Sequence, residues 1–299
     1  MWLFLSLLAP FVFALTQFID KYLIDKRIRD PWLITVLGGF GSILVAGGII
    51  LLHGFQLISI MQIALLLGAG ASLTYYLIPY FGALASDDTS NVTPLFQFVA
   101  PITLIFAFIF LKEQLTRQQL FAFGLLFAGG IFLASQTGTA KGIFTLRKSF
   151  WLMIAASIIA TISGILFKMV SNQIDFVTTM IYVNIGAAIA SFSLIFKPSL
   201  RKGFIKQVRK LSIGVWFLIF IDEGLNISAE MILLLAVSLA PVSLVNAIGG
   251  IQPLYIILIA VFLSIVFPKV IKEDLGKGTL LRKVISIAMI CIGVYLLYI

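Results

Sequence analysis

Histidine and cysteine are almost missing from this sequence, which holds one of each, His53 and Cys291. A metal centre wants several His, Cys or carboxylate ligands on facing elements. A nucleophilic enzyme wants a Cys/His or Ser/His dyad. Neither inventory is present, so the chain is expected to be neither an enzyme nor a metal or cofactor carrier. A single cysteine inside the last apolar run also gives no disulfide. His53 stands at a span end and reads as an interfacial residue. Charge is scarce too: 11% of residues are charged, where a soluble domain carries about 25%.

Hydrocarbon takes the place of charge. Hydrophobic residues make up 61% of the chain, 27 of them phenylalanine, and mean hydropathy is +1.13. Apolar runs near about 20 residues recur along the whole length, the requirement for helices that cross a bilayer. The expected class is an all-α integral membrane protein whose first partner is the lipid bilayer. The net charge of +9 does not indicate nucleic acid, because the basic residues sit in short connections between spans. No Lys or Arg precedes the first apolar run and no small-x-small site follows it, so the first helix is expected to be retained.

Ten spans are expected, at 2–19, 32–52, 57–84, 92–111, 120–133, 151–170, 177–196, 215–239, 242–267 and 284–299. Between the fifth and sixth, the Gly/Thr/Ser-rich stretch 135–149 carries Lys141, Arg147 and Lys148. It divides the chain into a first half (1–138), a linker (139–149) and a second half (150–299). The connection 197–212 is the longest loop and is basic.

The halves repeat one another. Leu111-Lys112-Glu113-Gln114-Leu115 closes the fourth span, and Ile271-Lys272-Glu273-Asp274-Leu275 follows the ninth. Pro94, Gln97 and Pro101 correspond at constant offset to Asn246, Gly249 and Pro253. An odd number of spans per half makes the halves enter the membrane in opposite directions, the inverted repeat common among secondary transporters. Of the 21 basic residues, all but Lys112, Arg117 and Lys168 follow odd-numbered spans. The positive-inside rule then places those loops in the cytoplasm and both termini outside.

The eighth span carries the chemistry. Asp222, Glu223, Asn226 and Glu230 interrupt an otherwise apolar helix, and Glu223, Asn226 and Glu230 at i, i+3 and i+7 share a face. The two glutamates lie about 5–6 Å of helix rise on either side of Asn226. An ionised side chain at bilayer centre costs about 2.5–3.5 kcal/mol. Three acids at that depth are therefore expected to face a cavity, a partner or protons. The competing reading pairs them with Lys168 or with amides simply to hold the bundle together. Asp222 points to another face.

Proline and glycine weaken the fourth and ninth spans at matching depths, a pointer to a transporter's site, and place Gln97 and Asn246 as cavity-lining candidates. Tyr75, Tyr76 and Tyr80 are set to stack on a solute or to anchor the interface, with Tyr76 taken into the site. Thr16 and Gln17 on the first span match Ser163 and Gly164 on the sixth. Lys168 joins the candidates as the one base inside a span, with snorkelling as the competing explanation. Glu113 and Glu273, at span ends before a turn, are expected to be structural, fixing the hairpin through a helix-end hydrogen bond or a salt bridge.

Two five-span halves, each with a helix ending in L/I-K-E-x-L before a Gly-containing last span, resemble the EamA-type branch of the drug/metabolite transporter superfamily. The resemblance covers essentially the whole chain. It implies a pseudo-two-fold bundle in a cell membrane, plasma membrane of a prokaryote, as monomer or homodimer. It also implies a central cavity lined by spans 1, 3, 4, 6, 8 and 9, alternating access, and export or exchange of small metabolites, amino acids or drugs. Relatives with ten spans are usually drawn with cytoplasmic termini, opposite to the charge distribution here. The first span lacks the mid-membrane glutamate that small multidrug relatives use for proton coupling, so coupling to protons would fall to the eighth-span acids. Glu223, Asn226, Glu230, Gln97, Asn246, Tyr76 and Lys168 are the expected substrate-binding set. The alternatives are an uncoupled exchanger of sugar-phosphate or nucleotide-like solutes, and a non-transporting scaffold or lipid-handling subunit.

Overall fold

Long apolar stretches without interior breakers fold into helices because, in lipid, every backbone N–H and C=O must be satisfied within the segment. The computed structural model describes residues 1–28, 32–84, 86, 93–134, 148–196 and 198–252, with scattered positions from 254 to 296. Each described element is helical. The first half holds α1 (Trp2–Lys26), α2 (Trp32–His53), α3 (Ile60–Tyr75) and α4 (Leu77–Leu84). A 3-10 segment (Thr93–Phe98), α5 (Val99–Phe106) and a π-helical turn (Ala107–Leu111) make up the fourth expected span, and α6 is Arg117–Ala134. The second half holds α7 (Lys148–Ser171), α8 (Phe176–Ser193), α9 (Pro198–Val208), α10 (Ile213–Leu239) and α11 (Val242–Gly249).

Five segments are long and apolar enough to cross a membrane: Trp2–Asp20, Leu33–His53, Ile60–Ala83, Lys148–Ser171 and Phe176–Phe196. α10, at 27 residues, is the longest helix described and carries Asp222, Glu223 and Glu230 within it. The outer surface is apolar, with Leu44 66%, Phe217 67% and Phe220 71% exposed. In water such faces would aggregate; facing acyl chains, they are where they belong. This is a multi-pass membrane protein.

Helix starts follow local chemistry. Ser59 caps α3 reciprocally with Gln62, its hydroxyl accepting from the Gln62 N–H (3.3 Å) while its own N–H donates to the Gln62 amide oxygen (3.0 Å). Thr116 and Gln119 repeat the device before α6. Asp175 caps α8 by accepting from the Thr178 N–H at 2.9 Å. That bond holds the Asp175 carboxyl below the usual carboxylate range.

One expectation is corrected here. The basic connection 197–212 is not a loop, because Pro198 at the first helical position and apolar residues at Phe204 and Val208 build α9. Those two side chains pack on a cluster containing Leu23, Ile34, Val215 and Ile219. The third expected span is one apolar segment, Ile60–Ala83, with a one-residue irregularity at Tyr76 between α3 and α4. The first span, Trp2–Asp20, agrees with the expected 2–19, and its helix continues beyond the apolar stretch to Lys26. Interrupted geometry appears where expected: the fourth span changes from 3-10 to α to π, and α11 ends in a turn at 250–251. The linker 135–147, Pro253, Cys291, the motif 271–275 with Glu273, and most of the last span lie outside the described residues, as do the side chains of Lys21 and Gln97.

The packing partners set up the interior. α3 lies along α8 and against α7, α1 lies along α10, and α2 lies along α8. α5 and α11 meet each other, and they lean on α7 and α1 respectively. The main apolar core, with Leu66, Phe167, Met180 and Leu234, joins α3, α7, α8 and α10.

Candidate functional site

Between these helices lies a cavity of about 320 Å³, bordered by α1, α2, α3, α4, α7, α8, α10, α11 and the fourth-span segments. That is enough for a small solute, at the lower end of the range for ligand sites. Glu223, Asn226 and Glu230 all line it, as their shared helix face requires. The Glu223 carboxylate rests on α2 at Gly38: a Cβ built there would stand 2.8 Å from Glu223 Oε2 and 3.2 Å from Oε1. Glu230 Oε2 is buried without a hydrogen-bond partner. Tyr76, between α3 and α4, also lines the cavity, and so does Tyr80. The Tyr80 ring packs on Phe81 and Phe96 with centroids 5.2 and 5.0 Å apart, making an aromatic wall.

Asn246 reaches the cavity from α11, and its amide donates to Thr103 Oγ1 at 3.3 Å. Thr103 in turn shares a 3.1 Å bond with Thr161 on α7. The three residues tie the fourth, sixth and ninth expected spans together at one depth. Thr16, Gln17, Ser163 and Gly164 line the same space. Tyr75 does not; its hydroxyl pairs with Ser193 at 2.9 Å on an exposed face.

Lys168 is placed elsewhere. Its ammonium donates to the carbonyls of Val237 (2.6 Å) and Ala240 (2.9 Å) and lies 3.5 Å from that of Ser238. The side chain caps the carbonyl end of α10, where a cation is favoured by unpaired C=O groups and by the helix dipole. Lys168, a candidate base for the cavity, is thus absorbed by the backbone. No Lys or Arg is among the described cavity-lining residues.

Asp20 is the functional candidate that the sequence reading missed. It lines the cavity from α1, and its carboxyl faces that of Asp222 on α10. A signal was present: Phe13, Thr16, Gln17 and Asp20 fall at helical spacing on one face. Hydropathy ended the span at the first charge, although the helix continues. The cavity thus holds three carboxyls, with a fourth, Asp222, directly behind one of them. Such a site attracts cations and hydrogen-bond donors and repels anions.

Glu113 also finds its partners here. A π-helical turn followed by Lys112 in the left-handed region (φ 56°) swings Glu113 onto the start of α11. Its carboxylate accepts from the N–H groups of Val242 (2.9 Å) and Ser243 (3.2 Å) and from the Ser243 hydroxyl (2.6 Å). Glu113 thus makes a helix-end hydrogen bond, one of the two structural roles expected, but to the distant start of α11 and not within its own hairpin.

Compared with known proteins, residues 1–135 match the model of the EamA-like transporter family. A solved structure described as "Crystal structure of protein" superposes with a TM-score of 0.70 at 13% identity, covering 99% of this chain and 94% of that one. At that identity the likeness is one of fold. No curated protein matches the sequence.

Proposed function

We propose, from the match of residues 1–135 to the EamA-like transporter family model, that the protein is a secondary transporter of a small amphipathic solute, working as an exporter by alternating access and coupled to protons. The observation that carries this reading is the cavity ringed by carboxyls deep among apolar helices, since acids at such depth are costly unless they serve a solute or ion. Glu223 and Glu230 would hold a proton or a cationic group of the solute. Asn226 and Asn246 would orient its polar end, with Tyr76 and the Tyr80–Phe96 wall against its apolar part; Gln97, on the same segment as that wall, remains in the proposed set.

A ten-span inverted repeat is supported by the pairing of equivalent elements. Span 1 on span 8 (α1 on α10) is matched by span 3 on span 6 (α3 on α7). Span 4 on span 6 (α5 on α7) is matched by span 9 on span 1 (α11 on α1). One pair breaks the match: α3 lies closely along α8, whereas the equivalent α10 meets α2 over a short stretch. Tight packing on one side and loose packing on the other is what one end state of a rocking transporter requires.

The uncoupled exchanger of phosphorylated solutes fits less well, because such solutes call for Lys or Arg and the described lining offers neither. Purified protein in liposomes with an internal pH dye, challenged with pools of amines, amino acids and nucleotides, tests the proposal. Solute-dependent proton movement is expected, with loss of about tenfold or more in Glu230→Gln, which keeps size and fold. Solute uptake without proton movement would favour the uncoupled exchanger. Silence in both would remove the transport reading. Gly38→Ala is a milder probe: its Cβ meets the movable end of Glu223, so transport is expected to fall while melting shifts by no more than about 1 kcal/mol equivalent.

A further inference from the structure

One buried acid plays no part in the solute site just described. Asp222 lies in α10 next to Glu223 yet faces away from the cavity, 0% exposed, with neither carboxyl oxygen meeting a hydrogen-bond donor. A buried polar atom is seldom left without a partner unless the partner is a small ligand or the position is functional. What faces it is the Asp20 carboxyl of α1, across the long contact between these helices.

Among the described side chains, the surroundings offer no counter-charge. Glu223 bears on Asp20 from the same side, and Tyr80 of α4 faces both aspartates, with Tyr76 close to Asp20. Among described groups on the other packed elements, His53 is at the far end of α2 and Lys168 of α7 is bound to the end of α10. Arg27, further along α1, turns to the Tyr22 hydroxyl at 3.0 Å. Tyr182 of α8 donates to the Gln56 carbonyl, and α11 carries no titratable side chain. Two ionised carboxylates so placed repel each other. One proton between them replaces repulsion with a short O–H···O⁻ bond. A metal ion suits the place less: among the described residues no group of three or more His, Cys, Asp or Glu converges on a point.

We propose that Asp20 and Asp222 form a proton-binding pair across the α1–α10 contact, separate from the solute-facing Glu230, and that its occupancy controls whether those two helices stay closed. This rests on the transporter reading only for its purpose, not for its chemistry. Asp20 opens onto the cavity and gives the proton its route; Asp222 is sealed and makes the bond that bridges the halves. Losing the proton to cavity water leaves two like charges at the seam between α1 and α10, and the seam loosens. α1 belongs to the first half and α10 to the second, so the event acts on the interface that rocking must remake.

Amide hydrogen exchange of the solute-free, full-length protein reads the seam directly. Peptides from α1 and α10 would be followed at mildly acidic and mildly alkaline pH, with times scaled for the intrinsic pH dependence of exchange. The wild type is expected to exchange several-fold faster in both helices at alkaline pH. Asp222→Asn and Asp20→Asn should each abolish that difference, and Glu230→Gln should retain it. If Asp222→Asn does not fold, Asp20→Asn makes the same test. A pH response that survives both aspartate substitutions overturns the pair, and so does a response that follows sodium at fixed pH. Because no solute is needed, a silent transport assay with an intact pH response would count against the transport reading alone, and the reverse result against the pair alone.

Discussion

Gly186→Leu is expected to leave little folded protein. Gly186 on α8 and Gly70 on α3 interlock backbone to backbone. A Cβ at Gly186 would fall on the Leu67 carbonyl and stand 2.7 Å from the Leu67 Cα, and one at Gly70 would fall on the Val183 carbonyl and 2.7 Å from the Ala187 N. Without a hydrophobic force between helices in lipid, this close approach is what holds them. It also sets the 3.0 Å bond from the Thr74 hydroxyl to the Ala187 carbonyl. Neither obstacle is a side chain that can swing away, so the helices must part. Overpacking usually costs about 1–3 kcal/mol; a leucine driven against main chain belongs at or above the top of that range. Gly70→Leu should behave alike. Gly48→Leu, whose Cβ meets nothing within 4 Å, should stay within about 0.5 kcal/mol of wild type. Size-exclusion profiles and tryptophan-monitored melting in detergent decide the matter, and a Gly186→Leu protein that melts like wild type would contradict the crossing.

Glu113→Ala should be nearly as damaging, for a different reason. It strips acceptors from two backbone N–H groups and a hydroxyl at the start of α11. An unsatisfied buried donor costs about 1–3 kcal/mol, and lost helix caps cost about 0.5–2 kcal/mol. With three donors stranded, a net loss of about 3 kcal/mol is reasonable after partial relaxation. Lys168 holds the end of α10 just before this point, so the two opposite charges clamp the turn at Ala240–Pro241, each at the helix end that its sign favours. Glu113→Gln keeps an acceptor oxygen and should lose about half as much. Because α11 aims Asn246 at the cavity, Glu113→Ala protein that does fold should transport poorly even below its melting point. Normal transport together with normal melting would show that the cap is dispensable.

How these residues were visible beforehand differs sharply. A structural role for Glu113 was legible because an acid at a span end, next to a turn, has few other uses, but its partner at the distant start of α11 was not. The shared face of Glu223, Asn226 and Glu230 was legible because helical periodicity is a property of one segment and does not depend on its neighbours. The irregular fourth and ninth spans followed from proline and glycine for the same local reason. Asp20 was passed over although it shares a helical face with Phe13, Thr16 and Gln17, because hydropathy stops at a charge whether or not the helix does. α9 was hidden by its basic residues, which describe a loop and the polar face of an amphipathic helix equally well.

Membrane class, the helical segments and their weak points, and the acids of α10 were therefore determined by sequence alone, since each depends on residues within about one or two helical turns. The tertiary structure decided everything that depends on pairs from distant segments. Gly48 and Gly186 are the same residue in sequence, and only the presence of α3 makes one of them essential. Lys168 and Asp222 had known depth but unknown partners, and partners alone separate a helix cap from a ligand, or a bundle-holding acid from a proton site. In a bilayer, insertion selects for the average character of each helix, and so it is written openly in composition; the contacts between helices depend on shape and direction, which appear only when the helices meet.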